Sequence, residues 1–443
     1  MSPTTALSEF IADCTFEDLP APVVAAAKVA IMDGLAVTVA GSVLELSGII
    51  GRYVQDLGGN PHASVVGWGF KTSAPSAAFA NGVFGHALDY EIQGAPPTHG
   101  TSSCLPAALA LGERGGVSGK DIILAYTIGW EVQGRLRAAS AHATNPAYHP
   151  PGLVGPLGGA AAAASVLGLD AAQTQMALSI AASRTGGLTA NTGTMVKSTH
   201  PGNAARMGTE AGMLAAAGYT GTEHILEAPR GYAEALFGGD MRWETVTDGL
   251  GSTYRLIDPG YHIKRFPAQI HMQNPTEAVL ELRSEHAFDP ARVRSLELRT
   301  DSRGHSGSLP RSGLDGKFSL EYCAAAALLD GAVTIETFTD ERRFAPDMET
   351  LLPRVQVQGA TEGTDTTTAT ATLDDGTRIS ATCQSYTGSM TRPMGRELHL
   401  AKVTNCLHQA MGAEQGAALI GMLDQLESIE DVGTLMSALA RQG

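Results

Sequence analysis

The chain has no surplus of basic charge. Its 443 residues hold 30 Lys and Arg against 45 Asp and Glu, a net charge of −15 that no basic run offsets. Neither nucleic acid nor an anionic membrane is therefore expected as a partner. An anionic substrate would need a local cationic pocket inside an acidic protein. Cysteine is scarce as well. Cys14, Cys104, Cys323, Cys383 and Cys406 form no CxxC pair and are odd in number, which suggests free thiols in a reducing compartment, and a cytoplasmic location is expected. The opening MSPTTALSEFIADC lacks a basic stretch followed by an apolar one, so a secretory signal is not expected. One uncharged run, 152–169, approaches the length of a membrane span, but it is mostly Ala and Gly and contains Pro156. It reads as a buried helix with close neighbours, not a span. Internal repeats are missing, and so are the Gly-x-Ser-x-Gly elbow, the HExxH pair and the P-loop.

What is present is ordinary globular material, 43% hydrophobic and 17% charged. It is long enough for two or more cores, since single cores stop growing near ~250–300 residues. Residues 21–40 are apolar nearly all round, as a buried helix is. Residues 74–90, 105–112, 120–140, 171–183 and 204–217 continue a helical pattern. In 120–140, Leu124, Ile128, Val132 and Leu136 recur at four-residue spacing, and Glu131 precedes Arg135 by four. The abundant Ala and Gly are read as tight helix–helix approach. Near residue 290 the period changes. Residues 292–300 alternate like a half-buried strand, and 366–385 read as a hairpin whose Asp375-Gly376 suits a type I′ turn. Residues 318–330 are helical, ending at Gly331, and the pattern after Pro393 is helical again. The expected fold is mainly α: an all-helical domain from 1–266 plus 393–443, with a smaller α+β domain, 267–392, inserted.

Charge sits among the small residues in a few places. The densest is 85–104, GHALDYEIQGAPPTHGTSSC, with His86, Asp89, Glu91 and His99. Two imidazoles and two carboxylates this close are costly in a helical core, because an unpaired buried partner costs about 1–3 kcal/mol. On a helix end and its loop they make a plausible half of an active site. His149 lies in Tyr-His-Pro-Pro at the head of the uncharged run. Lys197, His200 and Arg206 lie in GTMVKSTHPGNAARMG, where a helix is expected to start after Gly202; Lys and His facing such a start would make an anion site. His262, Lys264, Arg265 and His271 lie at the expected domain junction, and Tyr322 lies in an Ala-rich helix where a buried hydroxyl needs a partner. His86 and Asp89, three apart, could share a metal with His99 or His149, but no other metal-ligand pattern accompanies them, and no metal is expected.

In this order, NGVFGHALDYE, THG, YHPPGLVGPLGGAAAAA, GTMVKSTHPGNAARMG, HIKRFPA and EYCAAAALLDG resemble the MmgE/PrpD family over nearly the whole chain. That family includes 2-methylcitrate dehydratase, cis-aconitate decarboxylase and iminodisuccinate epimerase. The wording is closest to its cis-aconitate decarboxylases. The resemblance implies an all-helical domain with an inserted lid domain, a homodimer, and a site between the domains without metal or other cofactor. It implies a lyase, a decarboxylase or hydro-lyase acting on a small polycarboxylate through carbanion or enolate character next to a carboxylate. It places the pocket's Asp and first His on Asp89 and His99, its second His on His149, its two Lys on Lys197 and Lys264, and its Tyr on Tyr322. His99 is then the leading proton-transfer residue with Asp89 setting its tautomer, and His149 and Tyr322 position substrate or deliver a second proton. Lys197, Lys264, Arg265, His200 and Gln269 surround the substrate. One position departs: the decarboxylases read Lys-Arg-Phe-Pro-Ala-His, and here the last residue is Gln269. His86 and Glu91 fall outside the family's pattern and are expected to be structural or at the rim. Two rival readings are an epimerase of an iminodisuccinate-type acid and a non-catalytic carboxylate-binding protein on the same fold.

Overall fold

Alanine and glycine keep a helix thin, so that neighbouring backbones can approach closely, and most of the chain uses them in that way. A computed structural model describes residues 1–302, 309–359 and 366–440. Its first unit takes in Met1–Ala87, Glu91–His262 and Arg396–Gly443. The long helices before the insert are α1 (Pro3–Asp13), α2 (Ala21–Gly41), α3 (Glu45–Leu57), α4 (Ala74–Ala87), α5 (Gly100–Gly115), α6 (Gly119–Ser140), α7 (Pro150–Leu167), α8 (Ala171–Ala182) and α9 (Val196–Ala216). A Cβ on Gly202 of α9 would stand 2.5 Å from the Val83 side chain of α4, and one on Gly208 would stand 2.4 Å from the backbone of Gly159 in α7. Only glycine permits these approaches. Helices α2 and α7 are long and apolar enough to cross a membrane, yet most of each is buried within this unit; they are core helices.

Capping sets several of the boundaries. Ser118 and Asp121 form a capping box at the start of α6, as Asp170 and Gln173 do at α8, while α5 and α7 stop at left-handed Gly116 and Gly168. Two helices start earlier than their sequence suggests. Gly-Thr-Ser-Ser at 100–103 reads as loop, but α5 begins there, and Ser103 Oγ returns a 2.7 Å hydrogen bond to the His99 carbonyl. Likewise α9 begins at Val196 and runs through Pro201-Gly202. The Pro-Gly pair reads as a break, but a proline this near a helix start removes only one early hydrogen bond, and Gly202 is the close-packing residue. Lys197 and His200 therefore lie on the helix, not in a loop before it. The tail helix Arg396–His408 returns to α2, where His399 Nε2 and Lys402 Nζ meet Asp33 Oδ2 at 3.2 and 2.7 Å.

The second unit takes in Leu88–Tyr90 and Ile263–Gly395. Strands β1 (Val293–Arg299), β2 (Val355–Gln358), β3 (Thr367–Leu373) and β4 (Arg378–Cys383) form a mixed sheet in the order β2-β1-β3-β4, with β1–β2 parallel and the other pairs antiparallel. Alternation buries Thr367, Ala369, Ala371 and Leu373 along β3. These join a core with Ala278 and Leu282 of α10 (Gln273–Glu285) and Ala324 and Leu328 of α11 (Leu320–Asp330). The β3–β4 hairpin has a different turn from the one expected. The Gly376 N–H donates to the Leu373 carbonyl at 3.1 Å and the Leu373 N–H to Thr377 at 2.8 Å. Only Gly376 in this loop has a positive φ, +84°. A type I′ turn needs two left-handed residues; here neither Asp374 nor Asp375 has a positive φ, and a third loop residue, the glycine, absorbs the twist. The protein is mainly α with a minor α+β part, as expected.

Candidate active site

In the first unit, α4 ends on an imidazole and two other helices begin on one. His86 lies in the last turn of α4, where the helix dipole favours a basic group. His99 is the N-cap of α5, and His149 is the N-cap of α7, followed by Pro150 and Pro151, which suit the first helical positions. Lys197 is the second residue of α9. The folding of four helices thus brings together residues separated by more than a hundred positions. The ring centroids of His86 and His99 are 4.8 Å apart, those of His86 and His149 5.8 Å, and those of His149 and His200 5.2 Å.

Glu91 lies in the middle of this group, fully buried. Its Oε1 takes a short hydrogen bond from His86 Nδ1 and another, 3.2 Å, from Ser102 Oγ. Nδ1 of His99 stands 3.0 Å from the same oxygen, at an angle short of a directed hydrogen bond. Oε2 has no hydrogen-bond partner among the described residues. On its far side His86 presents Nε2 to Lys197 Nζ at 3.0 Å. An ammonium has no lone pair to offer, so Nε2 accepts, and the ring proton is on Nδ1, facing Glu91. His149 Nδ1 and His200 Nδ1 are 3.0 Å apart, which places one proton between them.

The titration of these groups follows from burial. Burial and the Lys197 charge outweigh the pull of Glu91 and depress His86 to about 4, so it is neutral at neutral pH. Burial opposes ionisation of Glu91 too, but the imidazoles around it hold it well below the usual carboxylate range. His149, half-buried, is pushed well below the imidazole range by burial first and then by Lys197, and His200 is lowered for the same two reasons. His86, His149 and His200 are therefore neutral imidazoles at neutral pH, beside the Glu91 carboxylate.

The second unit places the other expected residues. Asp89 has a left-handed backbone, φ +51°, which aspartate tolerates better than most residues. The buried Lys264 donates to its carboxylate Oδ1 and, at 2.8 Å, to its carbonyl. Arg265 pairs with buried Glu277 at 2.5 Å. Gln269 is half-buried, and its side-chain oxygen accepts from the His271 N–H at 2.8 Å. Residues 270–272 make a 3-10 turn, and His271 is exposed. The buried Tyr322 donates its hydroxyl proton to the Thr337 carbonyl, with its ring 6.0 Å from Phe338.

Within the first unit the carboxylate beside His99 Nδ1 is that of Glu91, and within the second unit the Asp89 carboxylate pairs with Lys264. His86 and Glu91, expected to be structural or at the rim, are buried in the centre of the cluster. The sequence signal for them is the crowding of His86, Asp89, Glu91 and His99 into one short segment, where an unpartnered carboxylate would be costly.

His86, Glu91 and His99 offer two nitrogens and an oxygen within 4.8 Å of one another, a set that can ligate zinc. Their hydrogen bonding fits that use poorly. A metal on His86 Nδ1 would force the ring proton to Nε2, against the Lys197 ammonium.

Residues 5–244 match the MmgE/PrpD N-terminal domain and residues 266–428 the MmgE/PrpD C-terminal domain. Cis-aconitate decarboxylase of Mus musculus is 31% identical over 430 residues, covering 92% of this chain and 87% of that protein. The Homo sapiens cis-aconitate decarboxylase is 29% identical over 437 residues, covering 94% and 90%. That of Aspergillus terreus is 29% identical over 373 residues, covering 76% and 74%.

Proposed function

The chain belongs to the MmgE/PrpD family and is a lyase acting on carboxylate, and from that premise we propose that it converts a small di- or tricarboxylic acid without a metal or other cofactor. The observation that carries the reading is the grouping of buried His86 and His99 and half-buried His149 and Lys197 around Glu91. Lyase chemistry next to a carboxylate leaves an electron pair on carbon that is delocalised into the neighbouring carbonyl. In a decarboxylation the C–C bond to the departing carboxylate breaks, carbon dioxide leaves, and an acid protonates the carbon. In a dehydration a base removes the carbon-bound proton, the pair forms the alkene, and the hydroxyl leaves with a proton. Both need fixed positive charge near the developing oxyanion and an acid or base at the carbon. We assign the first task to Lys197, whose ammonium is helped by the positive end of α9. His99 has the second, and His149, paired with His200, supplies or accepts the other proton.

For Asp89, Lys264, Arg265, Gln269 and Tyr322, substrate-facing roles stand as proposals carried by the resemblance, as does the homodimer. Gln269 bears on which lyase reaction is performed. Glutamine cannot exchange a proton, which favours an acid of the 2-methylcitrate kind over cis-aconitate itself. Proton NMR in heavy water with cis-aconitate and 2-methylcitrate separates the outcomes. Carbon dioxide release marks a decarboxylase and alkene formation from the hydroxy acid marks a dehydratase. Deuterium exchange without either product would overturn the lyase assignment in favour of epimerisation.

A further inference from the structure

We propose that Glu91 is the positioning residue of this site, the carboxylate that fixes which nitrogen of His99 faces the reaction. One oxygen, Glu91 Oε1, gathers His86 Nδ1, Ser102 Oγ at 3.2 Å and His99 Nδ1 at 3.0 Å. The contact is not a directed hydrogen bond, but at 3.0 Å a lone pair on Nδ1 would face the carboxylate's own lone pairs, so His99 keeps its proton on Nδ1 and leaves Nε2 as the nitrogen that meets substrate. When His99 takes a second proton, the imidazolium forms 3.0 Å from a buried negative charge, which stabilises it without desolvating a new ion.

The remaining members of the cluster hold the carboxylate in place. Lys197 Nζ lies 3.0 Å from His86 Nε2, and this commits the His86 proton to Glu91. Were Lys197 to pair with Glu91 directly, the carboxylate would be neutralised by a fixed cation and would have less to offer His99. The imidazole of His86 separates the two charges. The Glu91 Oε2 atom has no hydrogen-bond partner among the described residues, so Oε1 carries the hydrogen bonds from His86 and Ser102.

The proposal rests on the lyase reading, and its test is built to separate the two. Glu91→Gln keeps the shape and removes the charge. The expected result is a loss on the order of 10²-fold or more in kcat, with KM changed by no more than about threefold, as for a residue acting only when His99 is charged. Glu91→Asp should recover part of kcat. Two-bond proton–nitrogen NMR of the imidazoles, made on the protein without substrate, should show His99 in the Nδ1–H form in the unaltered protein and a mixture of forms in Glu91→Gln. Unchanged kcat in that variant overturns the proposal, and so does a lost kcat with the His99 tautomer unmoved. Should Glu91→Gln fail to fold, an Nε2–H His99 in the unaltered protein overturns it alone. If no carboxylic acid is turned over, the lyase reading fails while the tautomer measurement still decides the role of Glu91.

Discussion

Two clusters in the first unit use the same three kinds of group, a carboxylate, an imidazole and an ammonium, and arrange them differently. At Asp33, both His399 Nε2 and Lys402 Nζ aim at one carboxylate oxygen, at 3.2 and 2.7 Å. At Glu91, the lysine aims at an imidazole, and the imidazole at the carboxylate. The first is a direct ion pair that ties the tail helix to α2. In the second the charges are kept apart by a neutral ring, and further rings crowd the anion. The order of the three groups in space, not their identity, separates a structural tie from a group of side chains that can move protons.

Removing one member from each cluster should have opposite consequences. His99→Ala should lower kcat by roughly 10²–10⁴-fold with the fold intact, the usual range for an acid–base group. Lys402→Met should leave kcat per folded molecule unchanged. Near-normal turnover in His99→Ala would remove that residue from the chemistry, and a large kcat loss in Lys402→Met would erase the distinction.

Stability should respond in the opposite sense. Lys402→Met strands the Asp33 carboxylate in the core and should cost about 3–5 kcal/mol in urea unfolding, much of it restored when Asp33→Leu is added. A loss under 1 kcal/mol would mean that the Asp33 pair is not the tie between the tail and α2.

Acid should separate the clusters by pH. His86 titrates near 6.5 when unfolded and is depressed to about 4 in the fold. Between those values the unfolded chain binds a proton that the folded chain does not, so stability falls as pH drops from 6.5 to 4. The full loss from this one group is on the order of 3 kcal/mol. His149 and His200, also lowered, add to the same window. Asp33 is held below its ordinary value, with burial opposing and Lys402 and His399 overcoming it. Its contribution is present above about pH 3.9 and is lost only as pH falls through the lower folded value. Unfolding free energies from pH 7 to 3 should therefore show an early decline that His86→Gln reduces and a later one that it leaves alone.

These clusters also show what a single sequence can reveal. The helical segments followed from period and caps, and the strand change near 290 from alternation. His99, His149 and Lys197 were identifiable because each stands where small or proline-rich sequence would otherwise carry no charge. Glu91 was not. Its partners are His86, five positions away and off any shared helix face, and His99, beyond a Gly-Ala-Pro-Pro turn. Only the packing of α4 on α5 brings these side chains to one oxygen. The starts of α5 and α9 were hidden for a related reason: Ser-Ser and Pro-Gly are local stop signals, overridden here by close helix packing. The Asp33 cluster spans α2 and a tail more than 350 positions later, and no local period announces it.

The smallest expected effect is none at all. Chelation should leave kcat unchanged, although His86, Glu91 and His99 have the composition of a zinc site. The reason lies again in the order of the groups. A zinc ligand His86 would bind through Nδ1 and carry its proton on Nε2, 3.0 Å from Lys197 Nζ, so that two donors would face each other with no acceptor between them. The Asp33 cluster offers a metal even less, because a lysine already occupies its carboxylate oxygen. Replacing Lys197 by Met would remove the obstacle at His86. That variant should gain affinity for zinc, read by competition with a chromogenic chelator, while the unaltered protein should not compete. Equal zinc affinity in the two would show that Lys197 does not hold the His86 proton on Nδ1, and the contrast between the clusters would then rest on Glu91 alone.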